Sequence, residues 1–443
     1  MMPPPMSDKN TKSAPYRLVT LDPGHFHAAL VHKRMYPDVD PLVHVYAPGG
    51  PDVDEHLQKV ERFNTRPDDP TRWRQKVYAG PDFLQRMLDE KAGNIVVISG
   101  NNAHKAEHIL AAVRAGFNVL ADKPMVILPG ELRLLEQAFE EAQKRGVLLF
   151  DIMTERFEIT TILQRELSRN TALFGELIKG TPDKPAMTKE SVHHFAKVVA
   201  GSSLRRPAWF FDVRQQGEGI VDVMTHLVDL IQWEAFPEQV LSPGDARVLT
   251  ARRWATPISR EQFHQVTGWP ITGEWPEFLK RDIDGDTLNV YSNGEFTYQL
   301  RGVHAKVSVI WNFQAPGGGG DTHFSIMRGT RANLIIRQGP DEGYKPVLSV
   351  ERAGSAAASE VASALHIAMV PLQQRYPGID FERDGEGWRI TVPAGYDVGH
   401  EAHFGQVTDH FLEYLRQRRL PDWEVPNMLT RYSTIMQAYD LCR

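Results

Sequence analysis

The chain holds a single cysteine among 443 residues, Cys442, one short of its last position. That excludes an intramolecular disulfide and a cysteine-rich metal cluster, and makes a reducing compartment, the cytoplasm, the expectation. Long apolar runs are also missing. No stretch approaches the roughly 20 residues of a membrane span, and the opening MMPPPMSDKNTKSAP has no apolar core of signal-peptide length. Residues 1–15 are therefore expected to form a disordered tail. A sustained basic run is absent as well, and the formal net charge is -6. Nucleic acid is excluded as a main partner, because neutralising phosphates takes clustered Lys and Arg. No internal repeat is visible.

What is present is long alternation. At 443 residues the chain exceeds the size at which a single core stops growing, so two domains are expected. From Tyr16, short apolar runs alternate with amphipathic ones, which predicts βαβ units and a parallel sheet. YRLVTL, LVHVYA, NIVVIS, FNVLA and VLLFDI read as strands. His25–Met35, AHKAEHILAAVRAG and ELRLLEQAFEEAQKRG read as helices, and Pro51–Arg74 as a polar connecting region. The expected fold class is α/β: a Rossmann-like doubly wound sheet over residues 16–152, followed at 153–443 by an α+β domain with a large, mostly antiparallel sheet. The strand candidates of that second domain are SVHHFAKVVA, TLNVYSN, GEFTYQLRG, AKVSVIWNF and ANLIIRQG, with YSNGEF as a hairpin signal. One helix, IVDVMTHLVDLIQWEAF, lies among them, and two more close the chain.

The first strand ends in LDPGHFHAAL, where a dinucleotide-binding protein places G-x-G-x-x-G. Asp22, Gly24 and His27 stand at the three glycine positions, so only the middle one survives. A glycine there lets backbone approach a pyrophosphate, and the following helix start offers free N–H groups. His25 and His27 form a His-x-His pair, but with no carboxylate or third ligand nearby in sequence it is read as structural or phosphate-facing, and no metal is assigned.

The run SGNNAHKAEHILAAVRAGFNVLADKP resembles the family of glucose–fructose oxidoreductase, inositol dehydrogenase and the rhizopine-catabolism proteins (Gfo/Idh/MocA). The shared features are Asn101-Asn102-Ala103-His104 at a helix start, Ala115-Gly116 at its end, and Asp122-Lys123-Pro124 after the next strand, where the family has Glu-Lys-Pro. ERFEIT at 155–160 looks like the family's crossing segment, and GEGIVDVMTHLVDLIQW like its Gly-rich turn and Asp-x-x-x-His helix. The resemblance covers the chain from about residue 16. It implies an oxidoreductase acting on CH–OH groups with NAD or NADP, NAD slightly favoured, and a homo-oligomer, dimer or tetramer. Among site residues it implies His226 as proton acceptor, Lys123 as its electrostatic partner and Asp222 as the acid that orients either the substrate or the histidine.

The residues support that chemistry on their own terms. Asp222 and His226 are four apart, so on a helix they share a face. A carboxylate one turn away orients an imidazole and favours its protonated form. The expected cofactor-facing set is Gly24, His25 and Phe26 on the first turn, Ser99, Asn101 and His104 after NIVVIS, and Asp122 with Lys123. Asp229, three after His226, is read as solvated. In SVHHFAK, His193 and Lys197 share one face of a strand and His194 takes the other; Lys197 is a substrate-contact candidate, with Trp209, His400 and His403. His400, Glu401 and His403 satisfy a metal count, yet capping and pocket roles are favoured. The end of LVHVYA carries Ala47 and Pro48 where an acid would meet a ribose hydroxyl, the nearest acids being Asp52 and Asp54. Three readings remain open: a dehydrogenase of a sugar, polyol or glycoside; a glycosidase or lyase acting through transient oxidation; and a sugar sensor or scaffold that has lost the chemistry.

Overall fold

A computed structural model describes residues 14–199 and 202–443; the expected N-terminal tail lies outside them except for Ala14 and Pro15. Six parallel strands form the first sheet: β1 (Leu18–Leu21), β2 (Leu42–Ala47), β3 (Arg74–Ala79), β4 (Ile95–Ile98), β5 (Asn118–Asp122) and β6 (Leu149–Ile152). Their order is β3-β2-β1-β4-β5-β6. The chain reverses direction of winding between β1 and β4, and the crevice beyond the carboxyl ends of those two strands is the ligand-binding position of such sheets. β1, β4 and β6 are buried at every residue, which is why they read as continuous apolar runs.

Three elements of this domain depart from the sequence reading. Pro51–Thr65, expected as a polar connection, is a helix that buries Val53, His56 and Val60. Pro51 opens it and Asp52 and Asp54 occupy its first turn, so the residues that read as a loop are helix-start residues. β3 went unread because it is an edge strand, largely exposed, and carries no apolar alternation. The helix expected over His25–Met35 shrinks to one turn, His27–Leu30.

The second sheet has ten strands and is mostly antiparallel. Met187–Ala196 lies at its middle, parallel to Val303–Gln314 and antiparallel to Thr322–Arg328. The hairpin expected at YSNGEF does not form: Thr287–Leu300 is one continuous strand. Asn293 and Gly294 serve packing there. The Asn293 side chain donates to the carbonyl of Trp254 (3.1 Å) and accepts from the Trp311 N–H (2.7 Å), and a Cβ on Gly294 would come within 2.7 Å of Ile220. The turn falls instead at Arg301-Gly302, both at positive φ. The helix Met224–Ala235 packs on this sheet, while the closing helices His400–Gln417 and Glu424–Leu441 reach back to β6 and to the helix Leu132–Arg145 of the first domain. Both sheets therefore contribute to one cleft.

A buried histidine pair makes the first domain acid-sensitive. His32 and His56 are almost wholly enclosed, their rings 5.7 Å apart, and neither nitrogen of His56 has a partner among the described residues. Burial pushes His32 down to about 4 and His56 to about 3. Unfolded, both titrate near 6.5. Between those values the unfolded chain binds protons that the folded chain refuses, so stability present above pH 6.5 is lost as pH falls, by about 1.4 kcal/mol per pH unit for each imidazole. Thermal melts from pH 8 to 4 should show a steep decline below 6.5, shallower in His56→Leu. An unchanged slope in that variant would assign the acid sensitivity to other groups.

Candidate active site

The turn after β1 keeps the backbone path of a glycine turn with different residues. Asp22 stands at the first glycine position with φ 47°, a conformation that Asp tolerates better than most. A Cβ on Gly100 would lie 1.9 Å from the Asp22 carbonyl oxygen, so the turns after β1 and β4 touch only because residue 100 has no side chain. The N–H groups of Gly24 and His25 both donate to the Ser99 carbonyl (3.4 and 3.3 Å). A Cβ on Gly24 would fill the space between the Trp209 ring, Asn101 N and Asp52 Oδ2, each 3.4–3.5 Å away. Gly24 thus keeps open a narrow cradle that suits a dinucleotide backbone. At the third glycine position His27 is buried against Phe404, a ring contact at 4.5 Å; close helix–strand packing has been exchanged for an imidazole.

From β5 the chain delivers Lys123 into the cleft, where its Nζ donates to Asp222 Oδ1 at 2.7 Å, with both side chains nearly buried. Gln216 holds the other oxygen at 3.1 Å. Burial raises the Asp222 carboxyl, but Lys123 and Gln216 outweigh it and hold it below the usual range. Asp222 lies in the turn that precedes the helix, which starts at Met224. Its carboxylate is therefore spent on Lys123 rather than on His226, correcting the expected Asp–His pair. His226 lines the same cleft with Nδ1 buried and, among the described residues, unpartnered. Burial, and then Lys123, push its pKa down to about 3, so it is neutral at pH 7.

Beneath these residues Asp122, His25 and His27 converge. Asp122 Oδ2 receives His27 Nδ1 at 2.8 Å and the Ser99 hydroxyl at 2.8 Å, with His25 Nδ1 at 3.9 Å. The carboxylate that sequence spacing withheld from the His-x-His pair is supplied by β5, two strands away from β1 across β4. Lys105 Nζ donates to the Asp122 carbonyl at 3.0 Å.

The opposite wall comes from the second sheet. His193, His194 and Lys197 all converge on Asp321, at 3.3, 3.0 and 2.8 Å. His194, expected on the other face, reaches it as well, because Asp321 directly precedes Thr322, the partner of Val192, and so lies beside the strand rather than above one face. Asp321 follows the glycine run APGGGG and carried no periodic signal. Glu155, also unread, meets His400 Nδ1 at 3.3 Å. The cleft enclosed by these groups, of about 580 Å³, is lined by His25, Phe26, Lys123, Lys197, Asp222, His226, His400 and His403 among others. Three predicted residues are placed elsewhere. Trp209 does not line it; its Nε1 donates to Asp52 Oδ2 at 2.6 Å, on the Gly24 side. His104 is exposed and pairs with Glu107 at 3.2 Å. Asn101 donates to Gln215 at 2.6 Å and caps the turn at Ala103. Asp229, expected in solvent, is 1 % exposed and ion-paired with Arg156 and Arg431. Glu401 pairs with Lys33 at 2.5 Å.

Comparison with known proteins places this architecture. Residues 36–150 match the family model described as "Oxidoreductase family, NAD-binding Rossmann fold", and residues 163–443 match "Putative oxidoreductase C terminal domain". Among curated proteins a sequence search finds no match. A crystal structure of a "putative oxidoreductase" from Parabacteroides merdae ATCC 43184 is similar over 97% of this chain and 98% of that one, with 53% identity and a TM-score of 0.94. At 14% identity the likeness is of fold only for two others. KijD10, a 3-ketoreductase from Actinomadura kijaniata in complex with NADP and TDP-benzene, matches over 97% of this chain and 98% of its own with a TM-score of 0.59. GenD2 from gentamicin A biosynthesis, in complex with NAD, matches over 99% and 97% with a TM-score of 0.56. Two family models in order and a half-identical relative along the whole length establish that the chain belongs to the Gfo/Idh/MocA oxidoreductases, its N-terminal part being their NAD-binding Rossmann domain.

Proposed function

We propose that the protein is an NAD-dependent oxidoreductase that interconverts a secondary hydroxyl and a ketone on a sugar, polyol or glycoside. The observation that carries this reading is the buried Lys123–Asp222 pair at 2.7 Å beside a neutral His226, in a cleft beyond the carboxyl ends of the parallel strands. A nicotinamide dinucleotide held along the turn at Gly24 would supply the hydride acceptor for the carbinol carbon in the oxidising direction. His226 takes the hydroxyl proton, which its unprotonated state permits, and the Lys123 ammonium stabilises the negative charge that develops on oxygen. Asp222 holds that ammonium in place, and the polar cluster around Asp321 faces the substrate across the cleft, where His193 stacks on Trp311. Few aromatic faces among many polar groups suit a polyhydroxylated ligand.

NAD rather than NADP is assigned because no Lys or Arg lies between Met35 and Gln58, the segment that contains the end of β2, whereas Asp52 and Asp54 follow it. Calorimetric titration should show NAD binding at least tenfold tighter than NADP, a gap that narrows in Asp52→Ala. Tighter NADP binding would overturn the assignment. A panel of sugars, polyols and glycosides, followed by nicotinamide absorbance, then identifies the substrate; a binding-competent protein that reduces no NAD and oxidises no NADH with any of them counts against the dehydrogenase reading.

The Glu155–His400 pair favours a second reading, transient oxidation followed by elimination, because that route needs a further acid and base on the cleft. Denaturing the purified protein and identifying released nucleotide by mass spectrometry separates the two. A retained dinucleotide with no net NADH during turnover supports the transient route, and free exchange supports the dehydrogenase.

A further inference from the structure

We propose that His25, His27 and Asp122 form a binding site for a divalent transition-metal ion, of the class that zinc and cobalt represent, with an open coordination position facing the cleft beside Lys123. The donor atoms of the three residues lie within 4.8 Å of one another. In a tetrahedral zinc site with ligand bonds of about 2.0–2.1 Å, neighbouring ligand atoms stand about 3.3 Å apart. The two distances from Asp122 Oδ2, 2.8 Å to His27 Nδ1 and 3.9 Å to His25 Nδ1, bracket that figure.

The cluster is underfilled as a set of hydrogen bonds. Asp122 is 3 % exposed, and its Oδ1 is buried without a partner among the described residues. His25 Nδ1 is an acceptor, receiving the His27 N–H at 3.4 Å. It faces, at 3.9 Å, the carboxylate oxygen that holds the His27 Nδ1 proton, and a cation in place of that proton would serve all three atoms at once, including the His25 nitrogen that the proton does not reach. Ser99 donates to the carboxylate from behind, as the outer partners of metal ligands do. Two imidazoles and one carboxylate with a side left open is the donor pattern of catalytic zinc rather than of a closed structural site. His25 and His27 both line the cleft, so that open side is where a substrate oxygen would come. An ion held there polarises the same oxygen that Lys123 serves. This last role rests on the dehydrogenase reading; the metal site itself does not.

The test is metal content. Full-length protein purified without a metal-affinity step is analysed by inductively coupled plasma mass spectrometry. It is then stripped with a chelator and titrated with Co2+, followed by visible absorption. One ion per chain and a saturable cobalt band are expected, both lost in His25→Ala, with cobalt affinity about 10–100-fold weaker in Ser99→Ala. Asp122 is buried, and its variants could fail to fold, so His25→Ala, checked by thermal melting, is the deciding variant. Metal-free protein that gives no cobalt band, or a band that persists in His25→Ala, overturns the proposal. Dinucleotide affinity measured on the wild-type protein is a separate readout, so failure of the metal site and failure of the redox reading are told apart.

Discussion

Lys123→Ala should lower kcat/KM for the hydroxyl substrate about 10²–10³-fold, the range observed when one preorganised electrostatic contact to a developing oxyanion is removed. The same change leaves Asp222 buried with Gln216 as its only remaining side-chain partner among the described residues. An unpaired buried charge costs about 3–5 kcal/mol, so a folding defect could mimic the loss of activity. Lys123→Met combined with Asp222→Leu separates the effects: thermal stability should recover toward wild type, whereas activity should stay as low as in the single variant. A second readout is the pH profile. Because burial, and after it Lys123, holds the His226 pKa at about 3, the wild-type profile should show no limb from His226 between pH 5 and 8, and that limb should move to higher pH once the lysine is gone. Recovery of activity in the double variant, or profiles that coincide, would show that Lys123 only holds Asp222 in the fold.

The parallel sheet was legible because its strands are buried on both faces and therefore spell out Ile and Val without interruption, as in NIVVIS. Lys123 was legible for a related reason: a charged residue directly after such a run has to lie at the strand's carboxyl end. Pairing was not legible. Asp222 and His226 have helical spacing, yet the helix starts between them and Asp222 turns to a lysine 99 positions earlier. Asp122 and His27 are 95 apart and meet only because β4 sits between β1 and β5. Asn-Gly at 293–294 misled because its chemistry, a small residue beside a polar one, satisfied a crowded strand crossing as well as it would a turn. Asp229 misled in the opposite sense. Its charge suggests solvent, and only the tertiary fold supplies the two arginines that allow it inside.

Those two arginines carry the largest expected effect on stability. Arg431, on the helix Glu424–Leu441, is fully buried and bonds both Asp229 and Asp151. Arg156 grips Asp229 with two nitrogens, at 2.7 and 2.6 Å, and reaches Glu424 at 2.9 Å. The cluster thus ties the end of β6, the helix bearing His226 and the closing helix into one unit. Arg431→Met keeps the volume and removes the charge, stranding Asp151 in the interior with the Tyr432 hydroxyl (3.2 Å) as its donor, while Asp229 keeps Arg156. A loss of about 3–5 kcal/mol is expected, a large part of the roughly 5–15 kcal/mol that holds a domain folded. It should appear in denaturant melts as a lower midpoint at unchanged slope. Glu424→Gln provides the contrast. Three carboxylates share two guanidiniums, and burial pushes Glu424 up to about 7, so near neutral pH it is already partly protonated and its replacement should cost far less than that of Arg431. Equal losses from the two changes would mean that the helix is held by its apolar face, through Met428, Tyr432 and Ile435, and that the charges merely accompany it.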